Sequence, residues 1–429
     1  MKVHGLDDEF DALIEGLPET LFRAADDNQL PDAFSRDPYT PLRDLRDRVG
    51  PIVRRGEDGT FAGTAIPNIF MHEDWVPRFA VLGYDAHAEI TRDVDSFVNG
   101  DGAYGALSYS VGKIVTLTDG AEHARYRDLV LQAFGRSAVG KMEETLVGPI
   151  IDFLVDRIAK RIAAGEACDI VRDLSLPLTY KVMASLLGLP SGLLSDFVHW
   201  GDAMFNAGTD MEAGMNGAVA LTQLFYAELE KRRESPGDDL LTWMMEAEVG
   251  GSRLDDDEIV SHARFFLPAG IETTSRSVSL TVLTLLEERS RYEEVTARPE
   301  LVHAAVEECS RYATGGFVAA RRAVRDTEVA GVEIPARSLM LHVQGLANRD
   351  PSRWENPDTF DMHRPHKAHL LFNMGIHTCA GMHLARLEIE GSVRALIERL
   401  PGLRLAVPRE EIDVRGFQIR TPIHVPVTA

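Results

Sequence analysis

Apolar residues recurring at helical spacing over most of the chain, with a few short alternating stretches, predict a mainly α fold with a small β portion. From Gly120 to about Leu286 they fall three or four positions apart through Met142–Ile162, Leu178–Leu187, Val219–Leu229 and Ile259–Leu286. After Tyr312 the pattern changes. Thr327–Ile334, the turn residues Pro335–Ser338 and then Leu339–Val343 predict a hairpin. Length alone allows two or three domains, and no Pro/Gly/Ser-rich linker or internal repeat divides the 429 residues.

Taken in chain order, the first ~70 residues are turn-rich and predict little. Phe79–Leu82 reads as a short strand, followed by a helix from Tyr84 to about Val94. Gly100–Gly120 is Gly-rich and nearly uncharged, long for a connection without structure, and such loops tend to be functional. Asp255-Asp-Asp-Glu258 opens the last helix of the central run with the acidic residues a helix N-terminus favours. At roughly thirty residues, against a typical eleven or twelve, that helix must cross the molecule. An irregular stretch, Asn348–Ala380, precedes a final helix whose Ala385, Ile389, Val393, Leu396 and Leu400 share one face. Strand-like alternation returns from Leu403.

Composition excludes several classes. The net charge of −22, from 45 basic and 67 acidic residues, argues against nucleic acid and against anionic membranes. No stretch approaches the ~20 apolar residues of a membrane span, and the N-terminus lacks the basic-then-apolar pattern of a signal peptide. Cys168, Cys309 and Cys379 are too far apart for a paired zinc motif or a disulfide framework, so a cytoplasmic protein is expected.

Cys379 has informative neighbours. Phe372-Asn-Met-Gly-Ile-His-Thr-Cys-Ala-Gly381 lies where loop meets helix. There the helix dipole favours a thiolate, and Gly375 and Gly381 let backbone approach a bulky planar group. Alone, a buried cysteine is ordinarily a small core residue. The surrounding pattern, however, resembles the haem-binding signature of the cytochrome P450 family, matching it at Phe372, Gly375, His377, Cys379 and Gly381. One departure is Asn373, where the family most often has Gly; Asn tolerates the left-handed conformation better than most residues.

Further motifs strengthen the resemblance. Glu308 and Arg311 form Glu-x-x-Arg on one helix face, and Arg364 occupies the place of the family's third, buried partner; these are expected to be scaffold. Ala269-Gly-Ile-Glu-Thr-Thr274 sits inside the long helix behind Pro268. Several poor helix formers in one turn predict a distorted helix beside a ligand. The resemblance makes Glu272 the acid and Thr273 the alcohol that carry protons to iron-bound oxygen, with Ala269 and Gly270 leaving room above the iron. His123 and Arg127, one helical turn apart, correspond to a pair that binds one haem propionate. Arg321, with Arg322 as the alternative, corresponds to the residue that reaches the second together with His377.

The resemblance runs collinearly from at least Tyr84 to Phe417, implying one catalytic domain over 1–429. It implies the cytochrome P450 fold, with haem b held between the long distal helix and the cysteine-loop helix and Cys379 as its metal ligand. The implied reaction is insertion of one atom of O2 into a small apolar substrate, terpenoid, alkyl-aromatic or steroid-like. A peroxide-using or substrate-rearranging enzyme, or a non-catalytic haem protein, is the alternative; Glu272 and Thr273 favour the monooxygenase. No flavin or nicotinamide motif is visible, so a ferredoxin and ferredoxin reductase are expected to supply electrons. Arg125, Arg136 and Arg386 are candidates for their docking patch. By resemblance Tyr104, Leu107, Tyr109, Phe197, Trp200, Phe205, Phe266, Phe317 and Phe417 are candidates for the substrate pocket, and Arg264 or Arg415 for a substrate carboxylate.

Overall fold

The computed structural model describes residues 6, 8–23, 30–68, 75–100, 102–104, 111–205, 211–249 and 251–429. Nine helices organise it: α1 (Tyr84–Arg92), α2 (Gly120–Phe134), α3 (Gly148–Ala163), α4 (Leu176–Leu186), α5 (Met211–Glu234), α6 (Asp256–Leu267), α7 (Thr273–Glu287), α8 (Val302–Tyr312) and α9 (Met382–Arg399). The helices Tyr39–Val49 and Leu194–Phe205 and several shorter turns complete the helical portion. The largest hydrophobic cluster joins α3, α4, α7 and α9. Every residue of α7 from Thr274 to Leu286 is buried, as a helix crossing the centre of a molecule requires. No helix among the described residues is long and apolar enough to cross a membrane.

The expected long helix runs from Asp256 to Glu287 as α6, a π-helical turn at Pro268–Glu272, and α7. Its start is a capping box. Asp255 Oδ1 accepts the Glu258 N–H at 2.8 Å, and Glu258 Oε2 accepts the Asp255 N–H at 2.9 Å. Pro268 supplies no N–H to the helical ladder, and the widened turn accommodates that gap.

The β portion differs from the expected hairpin. Ala330 and Gly331 both take positive φ, 50° and 78°, so the chain turns inside the predicted first strand and pairs Thr327–Val329 with Val332–Ile334. A five-stranded sheet forms elsewhere from β1 (Ile52–Arg54), β2 (Arg78–Val81), β3 (Phe97–Val98), β4 (Val318–Ala323) and β5 (Leu339–Val343), in the order β1-β2-β5-β4-β3. β5 is central, parallel to β2 and antiparallel to β4, with Met340 opposite Phe79 and Arg321. β4 is hard to read as a strand because Arg321 and Arg322 interrupt its apolar run, yet all six of its residues are buried.

Candidate active site

The cysteine loop is a tight structure between β5 and α9. The Cys379 N–H donates to Phe372 O at 2.8 Å, and the Asn373 N–H donates to Leu370 O at 2.9 Å. Asn373 and Gly375 both take positive φ, 55° and 73°. Gly375 has a second reason to be glycine, since a Cβ would lie 2.7 Å from the Thr91 carbonyl oxygen of α1. The Arg386 guanidinium stacks 4.7 Å over the Phe372 ring while binding Glu307 through two hydrogen bonds of 2.7 and 2.9 Å.

Protein surrounds Cys379 densely, yet its side chain keeps an exposed face. Desolvation raises its thiol pKa and outweighs the Gly381 N–H and the charges of Arg127 and Arg386, which pull the other way. For the free thiol, burial outweighs the help that the start of α9 gives through the Gly381 N–H. A metal held at this sulfur would supply the ionisation, since a coordinating thiol is deprotonated outright. A Cβ on Gly381 would meet only Cys379 Sγ, at 4.0 Å, so its glycine leaves clear the space beside the sulfur.

Four nitrogen-bearing side chains gather around this loop. The rings of His123 and His377 lie 4.2 Å apart. Arg127 is within electrostatic reach of Cys379, and Arg321 within reach of both histidines. Their needs for partners are poorly met inside the protein. His123 Nε2 is buried with no hydrogen-bond partner, and Arg127 forms no ion pair or hydrogen bond among the described residues. Arg321, 3% exposed, donates only to the Ala320 carbonyl at 2.7 Å. His377 alone faces a carboxylate, Asp119 Oδ1 at 3.4 Å, itself held by the Asn99 and Gly100 N–H groups. Burial lowers the His123 pKa to about 4, helped by His377 and Arg127. Arg322, on the opposite face of β4, donates instead to Gly102 O and Arg337 O.

The π-turn carries the distal residues. Ala269, Gly270, Glu272 and Thr273 are half-buried, and the Thr273 hydroxyl donates to Ala269 O at 2.7 Å. The space a Cβ on Gly270 would take holds the terminal methyl of Met183 of α4, the flexible end of that side chain. Arg276, one turn beyond Glu272, is 3% exposed, and Glu272, Tyr180 and Asp202 lie within its electrostatic reach. Its Nη2 donates to Leu21 O at 2.5 Å, while its Nε and Nη1 and the Tyr180 hydroxyl are buried without partners. This polar cluster has no motif in the sequence; a lone arginine in the apolar run after Thr274 is the one signal of it.

Arg311 binds Glu308 through two hydrogen bonds of 2.8 and 2.7 Å, and Arg364 Nε reaches Glu308 Oε1 at 3.4 Å, forming the expected buried triad. Other expectations need correction. Arg125 is tied to Glu258 at 2.7 and 3.1 Å, and Arg386 to Glu307, so of the three proposed docking arginines only Arg136 is exposed and without a partner among the described residues. Phe197, Phe317 and Phe417 are fully buried core residues, while Leu107 and Tyr109 lie outside the described residues. Arg264 is already engaged with Thr222 Oγ1 and Val111 O, and Arg415 with Asp32 and Asp413.

These residues fit a haem: a sulfur with an open face, a cleared space beside it, and poorly partnered cationic and imidazole groups that suit two carboxylates. Comparison with known proteins agrees. The cytochrome P450 family model matches residues 211–401. The chain is 34% identical over 313 residues to cytochrome P450 107B1 of Saccharopolyspora erythraea, covering 72% of this chain and 75% of that one. It is 31% identical over 404 residues to the vitamin D3 dihydroxylase of Streptomyces griseolus, covering 93% and 94%. The solved structure of the Bacillus subtilis bacillaene polyketide synthase cytochrome P450 PksS superposes with a TM-score of 0.81 at 26% identity, covering 92% and 97%. The fold and site define a haem-binding, oxygen-incorporating oxidoreductase. The chain belongs to the cytochrome P450 family, of bacterial type.

Proposed function

We propose that this monooxygenase inserts one atom of O2 into a small apolar substrate, terpenoid, alkyl-aromatic or steroid-like, with haem b as cofactor and a ferredoxin and its reductase as electron source. The observation that carries the reading is the half-buried Glu272–Thr273 pair at a π-turn backed by a buried polar cluster. A peroxide-using enzyme or a haem carrier has no use for a built proton supply at that point. The vitamin D3 dihydroxylase named above supports an apolar substrate. We further infer a single domain over 1–429, cytoplasmic in location.

Cys379 would ligate the iron, with His123 and Arg127 binding one propionate and Arg321 and His377 the other. Phe372, Gly375 and Gly381 would shape the proximal side. When bound, haem supplies oxygen activation, and thiolate ligation favours O–O cleavage. In the resting arrangement the Thr273 hydrogen is committed to Ala269 O, so its oxygen lone pairs are free to accept. Glu272 recharges that hydroxyl by passing a proton to its oxygen as the hydroxyl hydrogen moves on towards oxygen. The partnerless atoms of Arg276 and Tyr180 are where water would enter to resupply Glu272. Arg136, within electrostatic reach of His383 at the start of α9, marks the face for the electron donor.

The test is a screen of apolar compounds for a substrate-induced spin-state shift, then turnover with O2, NADH, ferredoxin and reductase. Oxygenated product formed in step with NADH use is expected. Turnover with peroxide alone and none with O2 would overturn the reading.

A further inference from the structure

Asn373 is held in its left-handed conformation by more than its backbone. Its Oδ1 accepts the Met374 N–H at 2.8 Å, which settles which end of the amide faces the loop. His87 Nε2, from α1, lies 3.1 Å from the same oxygen. An acceptor oxygen requires a donor, so His87 carries its hydrogen on Nε2 and presents a bare lone pair at Nδ1. His342 Nδ1, from β5, lies 2.9 Å from that lone pair, so His342 donates from Nδ1 and its Nε2 is bare. His342 Nε2 is buried with no partner among the described residues, and without a hydrogen it leaves no buried donor unpaired. Both rings are buried, 0% and 1% exposed, and perpendicular to each other.

The pair stays neutral. Burial pushes the His87 pKa down to about 3, and burial, His87 and the Arg321 charge push His342 down as well. The hydrogen bonds therefore run one way, from β5 through α1 into the cysteine loop. Arg321, expected to bind a propionate, sits on β4 within electrostatic reach of both rings, with no hydrogen bond to either among the described residues.

We propose that His342, His87 and Asn373 are positioning residues for the haem ligand: they clamp the loop in the conformation that closes the Cys379 N–H to Phe372 O bond and keep the sulfur directed at the iron. This rests on the reading of Cys379 as ligand. The network takes the place of a glycine. Glycine reaches φ 55° freely but leaves it unenforced, whereas Asn373 is fixed there by two donors.

The test uses purified haem-loaded protein and the carbon monoxide difference band, followed as mild guanidinium converts it from the thiolate wavelength to the shorter one, together with the haem reduction potential. Asn373→Gly keeps the backbone conformation and removes the acceptor. It removes both hydrogen bonds that Oδ1 accepts and should convert more than about fivefold faster than wild type, fivefold being the rate equivalent of a single lost hydrogen bond. His87→Leu should also convert faster, and His87→Gln, whose amide can donate to Asn373, should recover most of the difference. The potential should shift in Asn373→Gly and return towards wild type in His87→Gln. If His87→Leu does not fold, Asn373→Gly alone decides. An Asn373→Gly protein matching wild type in conversion rate and potential would overturn the inference. A wild-type protein with no thiolate band would instead overturn the ligand assignment, and this inference with it.

Discussion

Thr273 and the four propionate candidates are where single side chains decide the chemistry. Thr273→Ala should bind haem normally and keep the thiolate band but form less product per NADH, with peroxide making up the balance; unchanged coupling would exclude Thr273 from proton delivery. Arg127→Ala and Arg321→Ala each remove a charge-assisted hydrogen bond, worth about 1.5–3 kcal/mol, so haem should transfer to excess apomyoglobin roughly ten to a hundred times faster. Equal transfer rates would mean the propionates lie elsewhere. Most of these residues were legible because each belongs to a short motif with fixed spacing. His87 and His342 were not, being 255 residues apart and joined only by the pairing of β5 with β2 beside α1. Arg386 misled in the other direction: an arginine near the cysteine looks like a docking charge, and only the fold reveals Glu307 against it.

At the scale of elements, α8 and the segment before the cysteine loop are joined by the Glu308, Arg311 and Arg364 triad. Glu308 is buried, and its loss leaves Arg311, 2% exposed, with its charge unpaired. Glu308→Ala should cost about 3–5 kcal/mol, measured by guanidinium unfolding of the haem-free protein. A change under about 1 kcal/mol, the range of an exposed pair, would mean the triad is a surface feature. The distortion at Pro268 was predictable from poor helix formers crowded into one turn. Its form was not, because a kink and a π-turn begin with the same missing N–H at Pro268. The strand β4 was hidden by its own arginines: Arg322 finds its carbonyl partners only after the sheet has formed, and Arg321 stays buried with the Ala320 carbonyl as its one acceptor among the described residues.

For the whole molecule, burial of titratable groups sets how stability varies with pH. Glu388 of α9 is buried, and its Oε2 has no partner, which raises its pKa from 4.5 to about 8. The folded chain then binds a proton that the unfolded chain has lost between those values. Stability therefore falls as pH rises through that window, by up to ~1.4 kcal/mol per unit, and levels off above about 8. The buried histidines act in the opposite sense. His87 is lowered from 6.5 to about 3, so stability falls as pH drops through that range. Denaturant titrations from pH 6.5 to 8 should show the Glu388 slope free of the buried histidines, with a contribution of the same sign from His424, whose pKa the Asp169 hydrogen bond raises above 6.5. Glu388→Gln should flatten it; an unchanged slope would show that Glu388 is ionised in the folded protein. None of this is visible in the sequence, where Glu388 is one acidic residue among 67.

The central claim is that Cys379 holds haem through sulfur. The most direct measurement is the difference spectrum of the reduced protein with and without carbon monoxide, recorded for wild type and for Cys379→Ala. The account predicts a Soret band at the long wavelength of thiolate-ligated haem in wild type and its loss in the variant. A long-wavelength band that survives in Cys379→Ala, or no haem band in wild type after haem is supplied, would contradict it.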